Sequence, residues 1–189
     1  MLDFSAAKAV LASALALSLA IPASVAAEEG VLEAFSSWEA RGQLYPTGRE
    51  EVTFVGGLSG VVYVKGDGVE MDASTLDAGL ITCPAVLTIN TTDGSQKGLG
   101  RCVIVTPAAE RVYATFECSG TYTQGCNGDF KLNGGTGANA NISGGGPIQF
   151  KSAIGQLIQS TPGSVVQQAA VGLAVWPKLT YTRPDGDTK

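Results

Sequence analysis

The side chains able to do chemistry in this chain are few, because its 189 residues contain no histidine. Serine–histidine and cysteine–histidine nucleophile systems are therefore excluded, and the commonest general base is missing. The four cysteines, Cys83, Cys102, Cys118 and Cys126, have no CxxC spacing, and without histidine they make a poor zinc set. Carboxylates gather at Asp67, Glu70, Asp72 and Asp77, but without the alternating ligand pattern of a dedicated calcium loop; a solvated loop is the expectation, with no metal and no cofactor. Glycine clusters at 134–137 and 144–146 invite phosphate. No glycine–lysine–serine or glycine–lysine–threonine triplet and no helix signal follows them, so they read as tight strand turns. The triplets Asn90-Thr91-Thr92 and Asn141-Ile142-Ser143 fit glycosylation acceptors in turn regions and are read as chance occurrences.

The opening residues set the compartment. Lys8 precedes an apolar run from Ala9 to Ala20, Pro22 breaks it, and small residues from Ala23 to Ala27 lead to Glu28-Glu29. Residues 1–27 thus read as a secretory signal cut after Ala27. The run is shorter than the roughly 20 residues of a membrane span. The expected mature protein is soluble and secreted or periplasmic. In that compartment four cysteines oxidise to two disulfides, and an oxidised sulfur is no nucleophile.

Residues 28–184 suit a single domain with its own core, followed by a frayed tail at 185–189. The signal holds one acid, Asp3, and one base, Lys8, so 16 acids and 11 bases remain and the net charge stays at −5. Those bases are scattered, which excludes nucleic acid as a partner.

From Val52 onward, short β-rich runs alternate with turn residues, the signature of an all-β sandwich or barrel. Runs at Val61–Val64, Leu80–Asn90, Arg101–Thr106, Arg111–Ser119, Gly128–Leu132 and Pro147–Phe150 read as a meander of hairpins. Clustered glycine, 25 residues in all, suits a strongly curved, closed sheet. Glu28–Arg41 has apolar spacings a helix could use, and Ser152–Gln168 fits either state. Gly172–Tyr181 reads as a last strand kinked around Pro177. A turn centred near Thr92-Asp93 sets Cys83 opposite Cys102, and Cys118 and Cys126 bracket the next loop as facing partners. Pairing Cys102 with Cys118 is also geometrically open, but it strands Cys83 two strands from Cys126. The pairs Cys83–Cys102 and Cys118–Cys126 are therefore preferred.

Gly125 to Gly137, which includes Asn133-Gly134-Gly135-Thr136-Gly137, followed by Ser143-Gly144-Gly145-Gly146-Pro147, resembles the allene oxide cyclase and dirigent type of barrel. The chain is also similar to uncharacterised bacterial exported proteins that look like this barrel, through Ala40-Arg41-Gly42, Tyr45-Pro46-Thr47-Gly48, Cys83-Pro84, Gly100-Arg101-Cys102 and Gly172 to Trp176. The resemblance spans Phe35 to about Pro184. It implies a closed antiparallel up-and-down β-barrel of about eight strands, often trimeric. The family's aromatic residue two positions past the GGTG motif is replaced here by Ala138-Asn139-Ala140, and no catalytic residue of the plant cyclases finds a counterpart.

A small barrel either fills with its own side chains or keeps room for one ligand. Phe54, Val62, Val64, Phe116, Phe130 and Trp176 are the expected interior residues, and with aromatics at only 7% of the chain a filled core is the plainer expectation. The functional expectation is a non-catalytic exported barrel that binds a small apolar ligand or a partner surface. Its rivals are an isomerase or cyclase working on a hydrophobic substrate inside the barrel, and a structural or oligomeric envelope component. A chain this poor in aromatics lacks the girdles of a membrane-inserted barrel, so no membrane insertion is expected.

Overall fold

Alternating side chains are what decide this architecture. In β4 (Ser95–Val105), β5 (Arg111–Thr121) and β6 (Gly125–Gly135), buried and exposed positions alternate almost residue by residue, as a strand with one face on a core requires. The other strands are β1 (Ala27–Pro46), β2 (Glu51–Gly66), β3 (Asp77–Asn90), β7 (Ser143–Gln159) and β8 (Val166–Pro184). A turn of 3-10 helix, Gly137–Asn139, follows β6. The computed structural model describes residues 27–66, 68–70, 72, 74–122, 124–159 and 166–184, with side chains omitted at 154–159 and 166–168. The expected signal before Ala27, Asp67 and the tail fall outside them.

Each strand pairs antiparallel with the next, and β8 returns to β1, so the sheet is a closed eight-stranded barrel. Closure leaves no open edge. Register partners followed once around the barrel, from Ala40 through Leu58, Cys83, Cys102, Ala114, Leu132, Gly144 and Tyr181, return to β1 at Gly30. That stagger of ten residues tilts the strands strongly and widens the interior.

The first segment is a strand, although its apolar spacing also suits a helix. Leu32 and Trp38 contribute to the interior, while Phe35 packs on the outer wall against Tyr63, ring centroids 5.1 Å apart. Apolar residues on both faces of one strand imitate helical spacing. The segment around 152–168 is likewise strand at both ends, β7 to Gln159 and β8 from Val166. Near Pro177 the register slips: Leu32 faces Leu179 and Ala34 faces Trp176, so β8 spends one extra residue there.

The barrel has two unlike ends. Ile142, Leu132, Val112 and Leu179 are buried at the end that carries both ends of the described chain, above a layer of Phe130, Ile148 and Trp176. The other end carries the β1–β2, β3–β4 and β5–β6 turns. It is hollow.

Candidate functional site

The hollow follows from residue size. Inward positions near that end are held by Ala40, Ala85, Gly98, Gly125 and Ala170, which leave a cavity of about 320 Å³. Its walls are the rings of Trp38, Phe54, Phe116 and Phe150 with Leu58 and Leu87. Glycines let these rings lie flat. The Trp38 ring covers Gly172 and the Phe116 ring covers Gly100, and a Cβ at either glycine would collide with the ring. Phe150 joins the walls, tilted against Phe116 at 5.0 Å and edge-on to Trp38 at 6.5 Å.

Among the described residues the lining holds no Asp, Glu, Lys or Arg. Its polar groups are Gln96, Ser152 and Tyr122, with the Cys118–Cys126 disulfide in the wall. Gln96 sits on β4 between Ile89 and Gly120 in register and is only 6% exposed. Its Nε2 donates to the Thr121 carbonyl at 3.3 Å. The sequence gives little sign of this residue, since Gln96-Lys97-Gly98-Leu99-Gly100 lacks an apolar rhythm and the β-rich run starts only at Arg101. The register that sets Cys83 opposite Cys102 also carries Gln96 inward opposite Ile89, and that was the available signal.

Of the six expected interior residues, Phe54 and Phe116 line the cavity. Val62, Phe130 and Trp176 are buried in the core, and Val64 is partly buried against it. Phe130 is 1% exposed and meets Trp176 edge-on at 5.3 Å. A uniformly filled core is thus found in one half of the barrel only.

Both disulfides are present, Cys83–Cys102 with Cα atoms 4.1 Å apart and Cys118–Cys126 at 5.5 Å. The first joins facing residues. The second departs from the expected facing arrangement: Cys118 pairs with Gly128 and Cys126 with Gly120, so the bond runs diagonally. A glycine opposite each cysteine leaves the sulfurs room to lean across the ladder.

The GGTG turn is a structural clasp at the packed end. Gly134 and Gly135 end β6, the Arg111 N–H donates to Thr136 Oγ1 at 2.9 Å, and Gly137 takes φ of 59°. Glu110 then accepts the Ala138 N–H at 3.0 Å and the Asn139 amide at 2.9 Å. The helical turn Gly137–Asn139 thus folds onto that carboxylate.

The remaining candidates stay apart. Asp72 Oδ1 accepts from the backbone and hydroxyl of Ser74, Glu70 and Asp77 are exposed, and no three acids or cysteines among the described residues gather into a metal site. Hydrogen bonds from Ser74 hold the Asp72 carboxyl below its ordinary value. Asn90 accepts the Thr92 and Asp93 N–H groups as a turn-former, and Asn141 is exposed beside the clasp. No known protein family, no curated protein and no solved structure matches the chain.

Proposed function

We propose that this protein is an exported, non-catalytic barrel that takes up one small apolar molecule through its hollow end. The observation that carries this is an aromatic-walled cavity of a few hundred cubic ångströms with no carboxylate and no cation among the described residues that line it. Binding sites of this size and lining take small molecules. A cyclase or isomerase in the same space would want a group that moves a proton, and among the described residues the lining offers only the Tyr122 phenol. The signal-like opening residues and two disulfides support export to an oxidising compartment. Exposed Arg101, Glu117, Asp129, Lys131 and Lys151 on successive outer walls favour water, rather than lipid, around the barrel. The closed eight-stranded barrel is the fold that likeness to the allene oxide cyclase and dirigent families implies, and we keep that relationship as part of the proposal.

A second reading, a partner surface, is favoured by the outer wall. Leu173, Ser37, Val61 and Leu80 are successive register partners across β8, β1, β2 and β3, and Leu80 is 61% exposed. Native mass spectrometry of the protein purified from its own host separates the two. The ligand reading expects a monomer or small oligomer carrying one neutral adduct per chain, released on activation. Bare chains in a defined oligomer would replace it with the partner reading.

A further inference from the structure

We infer that the ligand is a neutral molecule of roughly ten to fifteen non-hydrogen atoms, at about 20–30 Å³ each, that carries one O–H or N–H donor, and that Gln96 is the group that receives it. The inference rests on the ligand reading above and deepens it.

Among the described residues Gln96 is the one deeply buried polar side chain in the cavity wall. A carboxamide has two donor hydrogens and two acceptor lone pairs. Gln96 spends one donor, on the Thr121 carbonyl, in a long contact. That acceptor fixes the orientation of the amide, because only the nitrogen can face a carbonyl; the oxygen is left as the open edge. Gln96 Oε1 accepts no hydrogen bond among the described residues, and a buried amide so placed favours any occupant that completes it. An acceptor selects a donor. Trp38 also has an indole N–H without a partner, but that nitrogen is sealed by surrounding atoms and offers a ligand nothing.

Charge is selected against by the same wall. With no Lys or Arg among the described residues of the lining, an ion inside the cavity would lose its water and gain no counter-charge. A carboxylate would have to keep its head outside, which withdraws the chain from the aromatic walls. An uncharged alcohol or primary amide buries both its apolar body and its donor.

Three probes of nearly equal size separate these demands: 1-octanol, its isomer 1-methoxyheptane, which accepts but cannot donate, and octanoate at pH 8. Binding to the disulfide-bonded protein is followed by isothermal titration and by the fluorescence of Trp38 in the cavity wall. Octanol should bind at least tenfold more tightly than the ether, and octanoate most weakly. Gln96→Met, which keeps the volume and removes the acceptor, should bring octanol down to the affinity of the ether and leave the ether unchanged, so that ether binding reports an intact cavity. Equal affinity for octanol and the ether overturns the donor assignment while the cavity reading stands. Octanoate binding as well as octanol overturns the selection for neutrality in the same way. Loss of both neutral ligands in Gln96→Met shows the residue to be structural and overturns its role as the receiving group. No binding of any probe by the native protein sinks the ligand reading itself.

Discussion

The same eight strands end in a plug on one side and a pocket on the other. At the packed end, Phe130, Ile148 and Trp176 interlock beneath Leu132, Ile142 and Leu179, and the connection after β6 is drawn across by Glu110. At the hollow end many of the described inward positions are alanine, glycine or cysteine, and rings that could fill the lumen lie flat on glycines along the wall. Stagger and strand number are common to both halves, so side-chain volume alone makes the difference. A barrel of this width can hold a ligand wherever its inward row is written in small residues.

The strongest way to break the contrast is to truncate one ring in each half. Phe130→Ala removes a ring that is 1% exposed and leaves a void that close-packed neighbours cannot refill, so it should cost about 3–5 kcal/mol of unfolding free energy. Phe54→Ala opens onto space that already exists, so no new isolated void forms. The cost should approach the transfer term alone, about 1.5–3 kcal/mol. Urea denaturation of both variants checks the order, and equal losses would mean that the hollow half is as tightly packed as the other.

Much of this contrast was legible in the residue pattern, and some was not. Runs between turns located the central strands, and the turn near Thr92-Asp93 placed Cys83 opposite Cys102 because antiparallel register is fixed by its turn. The diagonal Cys118–Cys126 bond was harder, since its offset comes from the short β5–β6 turn pairing Thr121 with Gly125. β1 stayed ambiguous because Phe35 is apolar and outside. The cavity was the least visible feature. Glycine and alanine have no strong periodic signal, so Gly98 and Ala170 announce neither their strand nor their face, Ala85 does not announce its face, and Gln96 was lost with them.

The disulfides sharpen the comparison at intermediate size. Cys83–Cys102 links positions 19 apart in the middle of the barrel, and Cys118–Cys126 links positions 8 apart in the cavity wall. Restricting the unfolded chain is worth about 3 kcal/mol for the first and about 2.5 kcal/mol for the second. Replacing each pair by alanines should lower stability by those amounts in denaturant titrations. Only the loss of Cys118–Cys126 should also weaken octanol binding. If removing Cys83–Cys102 weakens binding as much, the two halves are coupled more tightly than their packing indicates.

The smallest expected effect lies at the lip of the packed end, where β1 and β8 close the barrel. Glu28 faces Arg183 in register and pairs with it, and Tyr181 Oη donates to Glu28 Oε1 at 2.9 Å. The Arg183 hydrogen bond first, and then that of Tyr181, holds the Glu28 carboxyl below its ordinary value of 4.5. Burial first, and then Glu28, pushes the Tyr181 phenol above its usual 10.0. For Glu28 the folded state binds its proton less readily than the unfolded state, so its stabilising contribution is complete above the unfolded value and disappears as pH falls through the lowered folded value. Hydrogen exchange measured from pH 6 down to pH 3 should therefore show the backbone pairing around Gly30 and Tyr181 loosening with acid, after correction for intrinsic rates. Pairing around Leu44 and Phe54, at the hollow end, should not follow. Glu28→Gln should abolish the acid dependence at the lip while leaving the rest of the barrel unchanged. Because the pair is solvent-exposed, salt should shrink the effect, and an acid response that spreads evenly over both ends would show that the lip is not held by this carboxylate.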